Sequence, residues 1–193
     1  MSEVNKNIVQ SFLQSKGLNN KAIAGVMGNI QQESNFDTTN TNKSSGAYGL
    51  FQWLGGRKTN LLNYAKEKGT SASDIQTQLD FFWYELETSE KKTMSVLTSS
   101  NYETASDYAA AFEKSFERSG GSALEKRKSY AETFYSLMGG GSSVSSTVNT
   151  STTNKTIGLV WWGDVVKVVL ILLLILVGVL MAVLSVNTTV ENM

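Results

Sequence analysis

Apolar residues at positions 4, 8, 9, 12 and 13 share one face of a 3.6-residue repeat, so "VNKNIVQSFLQSKG" predicts a helix that Gly17 stops. "NNKAIAGVMGNIQQES" repeats the pattern at 22, 23, 26, 27 and 30 and predicts a second helix. "SDIQTQLDFFWYELE" opens on Ser73 as an N-cap with Gln76 placed as in a capping box. "ASDYAAAFEKSFERSGG" and "SALEKRKSYAETFYSLMGGG" complete the helical set, each closing on glycines. One stretch breaks the rule. "GAYGLFQWLGG" has no period, and its aromatic residues bounded by glycines predict a short ordered loop, a 3₁₀ turn or a small hairpin.

The pattern changes after residue 138. "GGGSSVSSTVNTSTTNKT", residues 139–156, has the composition of a flexible linker. Within residues 157–193, an apolar helix is predicted over about 165–186. From Val168 to Val186 there is no charge, and Ser185 is the one polar side chain. At about 1.5 Å per residue these residues span about 28 Å, close to the roughly 30 Å of a bilayer's hydrocarbon core. Trp161 and Trp162 precede it, where an interfacial belt would place them. A buried core helix is the plainer alternative, but no soluble core needs an unbroken apolar surface of this length. The opening "MSEVNKNIVQSF" shows no secretory h-region. The expected organisation is therefore mostly α: a helical domain over 1–138, the linker, and a membrane-interacting segment.

Composition narrows the chemistry. The 193 residues include no cysteine, no histidine and no proline. Thiol nucleophiles, zinc–thiolate sites, Ser-His-Asp and Cys-His catalysis and His-ligated metals are excluded. Hydrolysis by this chain must use carboxylates, hydroxyls, lysines, amides and water, so neither a metal nor a cofactor is expected. Lys plus Arg and Asp plus Glu balance at 17 each, and no basic stripe suggests a nucleic-acid partner.

Glu33 is the candidate that stands out. It falls in the last turn of the second helix, where the helix dipole disfavours an anion. Ile30, Phe36, Phe51 and Trp53 are apolar neighbours in sequence. Dipole and desolvation together favour a carboxyl group that keeps its proton, as a general acid for glycoside cleavage must. Taken alone, such a Glu reads as an exposed side chain at a frayed helix end. The aperiodic loop downstream of it changes that reading. Gly46 and Gly49 permit close backbone approach, Tyr48, Phe51 and Trp53 can pack on sugar rings, and Gln52 offers an amide. The plainer reading of this run is a hydrophobic loop plugging a small core.

"ESNF" followed by "SSGAYGLFQ" resembles the Glu-Ser and Gly-Leu-x-Gln motifs of lytic transglycosylases and goose-type lysozymes. The longer run "GVMGNIQQESNF…SGAYGLFQWLGGRKTNLLNYA", with "QLDFFWYELE" and "FERSGG…KRKSYAE", resembles the phage tail lysozyme family over roughly residues 5–138. The resemblance implies a lysozyme-like helical fold acting on the glycan of peptidoglycan. It implies that Glu33 is the catalytic acid and that Gly49, Leu50 and Gln52 line the saccharide site beside Tyr48, with Ser34 holding the surroundings of the glutamate. The Asn/Ala-Tyr-Asn motif of many transglycosylases is not matched; "NYA" at 63–65 and "DYA" at 107–109 are loose echoes. A second carboxylate is left between Asp37 and Glu117, and the ordinary reading of Glu117, like Glu113, is a solvated helix face near Lys114 and Arg118. Hydrolysis and transglycosylation both remain open.

The expected role is a virion protein, in the tail or an internal core, that opens the wall during genome entry. Its partners would be peptidoglycan, the host membrane and other virion proteins, with several copies bundled through the apolar helix. Lys155 and Lys167 precede that helix and no Lys or Arg follows it, so a cell's own insertion machinery would keep the domain cytoplasmic, away from the wall. Delivery from outside avoids the conflict. The alternatives are a membrane-perforating or structural protein with a non-catalytic wall-binding domain, and a tail-anchored secretion-system transglycosylase.

Overall fold

The computed structural model describes residues 2–140. Almost all of the expected linker and the whole of the expected apolar helix lie outside the described residues. Among the described residues the fold is helical: α1 (Ser2–Ser15), α2 (Asn20–Ser34), α3 (Gly56–Lys68), α4 (Ile75–Glu87), α5 (Lys91–Thr98), α6 (Ala105–Phe112) and α7 (Leu124–Leu137). A π-helical turn, Glu113–Glu117, continues α6. None of these helices is long and apolar enough to cross a membrane.

Helix α2 is the centre. Its apolar residues are buried all round, including Ile23, Val26, Met27 and Ile30, because α1, α6 and α7 all pack on it. Two glycines permit that crowding. A Cβ on Gly25 would lie 2.7 Å from Tyr108 Cβ on α6, and one on Gly28 would lie 2.5 Å from the Arg127 carbonyl oxygen on α7. Small residues from α2, α6 and α7, namely Ala24, Ala105, Ala109 and Ala131, fill the contact. A second, aromatic layer joins the 46–53 loop to α4 and the π-helical turn: Phe51 stacks on Phe82 at 4.4 Å and meets Phe116 edge-on at 5.3 Å.

Five helices were legible in the pattern, and two, α3 and α5, were not. Helix α3 buries only Leu61 and Ala65, and α5 only Thr93 and Leu97, so neither carries a continuous apolar stripe. The start of α4 is corrected by one residue: Asp74 is the N-cap, its side chain accepting from Thr77 N, while Gln76 turns outward to Asp80. The predicted continuous helix through 105–121 instead changes register at Glu113. The aperiodic loop closes as a tight turn in which Tyr48 and Trp53 exchange backbone hydrogen bonds of 3.0 and 2.9 Å, and Thr41 bridges to Tyr48.

Candidate active site

Helix α2 ends where Asn35 and Phe36 both adopt positive φ, 52° and 61°. This break leaves Glu33 at the rim. Ser34 points inward, its Oγ donating to the Leu50 carbonyl at 2.9 Å and so tying the loop to the helix end. From the other side the buried Gln78 amide holds the same loop, accepting from Leu50 N at 2.9 Å and donating to the Thr38 and Ala72 carbonyls. Gly49, at φ 77°, sits directly on that amide; a Cβ there would come 2.7 Å from Gln78 Oε1.

Glu33 faces a cavity of about 490 Å³ whose walls include Asn42, Ser45, Gln52, Glu117, Ser119 and Arg127. Two other hollows, each about 670 Å³, are larger, but neither contains Glu33. One of them also gathers charged side chains, among them Arg57, Glu67, Glu85, Glu90 and Arg118, but there Glu85 is tied up by Arg57 and Trp53, and Glu90 by Arg118. We take the smaller cavity as the site because it brings Glu33 together with Glu117, whose carboxyl has no ion-pair partner among the described residues. Gln52 and Ala123, both on its wall, are non-glycine residues with positive φ, 49° and 56°. Such conformations persist where surrounding structure holds them, commonly at functional sites.

The surroundings expected for Glu33 are corrected in part. Ile30, Phe36, Phe51 and Trp53 are all core residues, exposed by 2% or less, and of the four Phe51 lines the cavity that Glu33 faces. The group that Glu33 meets directly is a guanidinium: Arg127 Nη2 lies 2.6 Å from its Oε1. Arg127 is buried and held on three sides, donating also to Asn29 Oδ1 at 3.1 Å and the Ser122 carbonyl at 3.4 Å. Asn29 is in turn fixed by donating to the Gly25 and Ala109 carbonyls.

Glu117 is not on a solvated face. The π-helical register, with Arg118 N–H donating to the Glu113 carbonyl at 2.7 Å, turns it into the cavity. Its Oε1 is buried without a hydrogen-bond partner. Burial, and then the negative charge of Glu33, push its carboxyl well above the usual carboxylate range, against the pull of Arg127 and Arg57. Glu113, its neighbour on the turn, is structural. Burial pushes Glu113 up, but donors from Ser119 Oγ and Gly121 N and the charge of Arg127 outweigh it, and the carboxyl lies below its ordinary range.

The remaining sequence candidates are scattered. Asp37 is exposed, and its Oδ1 accepts from Thr39 N and Oγ1, so it braces the loop outside the cavity lining. Leu50 is fully buried, and Tyr48 is half-buried with Lys58 over its ring. Of the proposed saccharide contacts, Gln52 lines the cavity, while Ser34, Tyr48, Gly49 and Leu50 are absent from its lining. Sequence reasoning missed Arg127 and Gln78. "KRKSYAE" contains the arginine, but nothing local distinguishes it from the flanking lysines.

A helical domain whose open polar cavity gathers two carboxylates, with no histidine or cysteine in the chain, has the make-up of a lysozyme-like protein. The chain belongs to the phage tail lysozyme family, whose sequence profile matches residues 4–138. It is also similar to morphogenesis protein 1 of Bacillus phage B103, with 29% identity over 151 residues. That alignment covers 71% of this chain and 40% of the relative. Family and relative together point to a virion-associated protein.

Proposed function

We propose that the domain cleaves the glycan strand of peptidoglycan, with Glu33 as a reacting carboxylate, as one step in opening the bacterial wall during phage entry. One observation carries this reading: Glu33 and Glu117, far apart in sequence, line one open cavity together with amide and hydroxyl side chains. Paired carboxylates are the usual means of breaking a glycosidic bond, one giving a proton and the other acting on the incoming group. Gln52, Asn42 and Ser45 supply the hydrogen bonds a sugar needs, while Ser34 and Leu50 act through the backbone of the loop. The lack of histidine and cysteine disfavours peptide-bond cleavage of the Cys-His or zinc type.

Glu33→Gln keeps the shape and removes the carboxylate. It is expected to abolish clearing in a peptidoglycan zymogram while the circular dichroism spectrum stays that of the wild type. A clearing zone of wild-type strength would remove the assignment. Mass spectrometry of fragments released by the wild type then assigns the reaction: a reducing end marks hydrolysis, and an anhydro end marks attack by a hydroxyl of the substrate itself.

The stretch Val168–Val186 supports a further part of the same reading, from sequence alone. We infer that it enters the host membrane from the wall side after delivery, several copies being bundled in the particle to shield it from water. Dye-loaded liposomes test this: full-length protein that neither binds nor releases dye at any pH rules it out.

A further inference from the structure

Helix α3 sends only Leu61 and Ala65 into the core. A neighbouring face of the same helix carries Asn60, Asn63, Tyr64, Glu67 and Lys68, spaced i, i+3, i+4, i+7 and i+8. On α4, Phe81, Tyr84 and Glu85 repeat the i, i+3, i+4 spacing. These two faces line one cavity of about 670 Å³, and it shares no lining residue with the cavity of Glu33. Its volume falls in the range that small-molecule sites occupy.

The apolar part of the lining is aromatic. The ring centroids of Tyr64 and Phe81 are 5.5 Å apart, those of Tyr64 and Tyr84 5.7 Å, and those of Phe81 and Tyr84 6.4 Å. Phe81 is buried beneath the surface, Tyr64 is half-buried, and Tyr84 is 50% exposed, so the two tyrosines present ring surface to a ligand. The polar part is uncommitted. The side chains of Asn60, Asn63, Glu67 and Ser89 make no hydrogen bond to other described residues.

Charge narrows the class of ligand. The cavity carries Arg57, Lys68 and Arg118 against Glu67, Glu85 and Glu90, three of each sign. Arg57 is paired with Glu85 at 2.8 Å, and Arg118 with Glu90, so both guanidinium groups are spoken for. An anionic ligand would be left with Lys68, which lies over the Tyr64 ring at 5.5 Å. A neutral ligand with hydroxyl groups and an apolar face suits the lining better: its C–H face meets the rings, and its hydroxyls meet the amides. That is the chemistry of a saccharide. The cavity also shares Tyr64 and Lys68 with an adjoining hollow of about 350 Å³, which adds Thr70, Thr77 and Asp80. Two hollows in series suit a chain of sugars better than a single ring.

We propose that the groove between α3 and α4 is a second, non-catalytic saccharide site, holding one stretch of a glycan strand while the Glu33 cavity acts on another. Tyr64 and Tyr84 stack on the sugars, and Asn60 and Asn63 bond their hydroxyls. Naming the wall's own glycan as the strand rests on the cleavage reading above, whereas the class of ligand rests on the groove. Holding the strand at two places raises its effective concentration at the cleaving cavity.

The test uses full-length Glu33→Gln in detergent, with ring-labelled tyrosine, and the soluble β-1,4-linked N-acetylglucosamine hexamer as a neutral probe. The NMR signals of Tyr64 and Tyr84, assigned by their loss in Tyr64→Phe and Tyr84→Phe, are expected to shift and saturate with hexamer and to ignore poly(glycerol phosphate). Tyr84→Ala and Asn63→Ala, both at exposed positions, are expected to melt within a few degrees of the parent. Tyr84→Ala should weaken retention on insoluble peptidoglycan roughly five- to tenfold, as loss of one aromatic anchor does, and Asn63→Ala should weaken it in the same direction. Tyrosine signals unmoved by millimolar hexamer overturn the proposal, as does a response to poly(glycerol phosphate) alone, or retention of both variants equal to the parent. Digestion of peptidoglycan by the wild type is read separately and decides the cleavage reading, while the tyrosine signals decide the groove.

Discussion

Arg127 carries more of the site than any other single residue. It is buried, and its guanidinium is shared by Glu33, Asn29 and the Ser122 carbonyl. Arg127→Met is expected to leave a carboxylate and an amide oxygen unpartnered and to destabilise the fold by about 3 kcal/mol, read by urea denaturation. Arg127→Lys should recover only part of this, because an ammonium cannot reproduce the planar fork. Full recovery by lysine would mean that charge alone matters there. Glu117 makes the opposite prediction. Its folded-state carboxyl lies above the unfolded value, so its contribution to stability is fully present below the ordinary glutamate range and is lost as pH rises through the folded value. Glu117→Gln cannot ionise and escapes that loss. The melting temperature of the variant should therefore gain on the wild type as pH rises from about 4, a trend that differential scanning fluorimetry resolves. A constant difference across pH would mean that Glu117 does not hold its proton in the fold.

At the scale of elements, the geometry depends on how closely α7 approaches α2. Gly28 sets that distance, because any Cβ would press on the Arg127 carbonyl at 2.5 Å and on Ala131 N at 2.8 Å. Alanine is the better helix former, by about 1 kcal/mol, yet a backbone clash does not relax cheaply. Gly28→Ala is expected to cost a net 1–3 kcal/mol, about the penalty of an overpacked core, and to reduce wall digestion further by moving Arg127 away from Glu33. Stability and activity both at wild-type level would show that α7 shifts freely. The π-helical turn matters for a related reason: its register aims Glu117 into the cavity while Glu113 clamps the 118–121 segment through Ser119 and Gly121.

For the molecule as a whole, the prediction concerns independence. The buried apolar cluster runs from Val9 to Phe116, and the residues packed against it reach Met138. The family match ends at the same point. A fragment of residues 1–138 is therefore expected to fold in isolation, to melt within a few degrees of the full chain and to digest peptidoglycan at a comparable rate. An insoluble fragment, with the full chain well behaved in detergent, would mean that the C-terminal region completes the fold.

What the sequence determined by itself was local. The apolar periodicity of α1, α2, α4, α6 and α7, the break after Ser34 and the Gly-Leu-Phe-Gln turn can each be read within a dozen or so residues, because helical period and turn chemistry are short-range. Helices α3 and α5 were hidden because they bury too few side chains to leave a stripe. Only tertiary packing decided the site. Phe51 and Trp53 suggested sugar platforms, but both are packed into the core by α4 and the π-helical turn, and of the two only Phe51 reaches the cavity. Asp37 is nearer to Glu33 in sequence than Glu117, yet the loop turns it outward to Thr39, while an i→i+5 register turns Glu117 inward. Arg127 reaches Glu33 across 94 residues of chain. No local pattern encodes that meeting. It follows from Gly28, which lets two helices approach until a guanidinium on one reaches a carboxylate on the other.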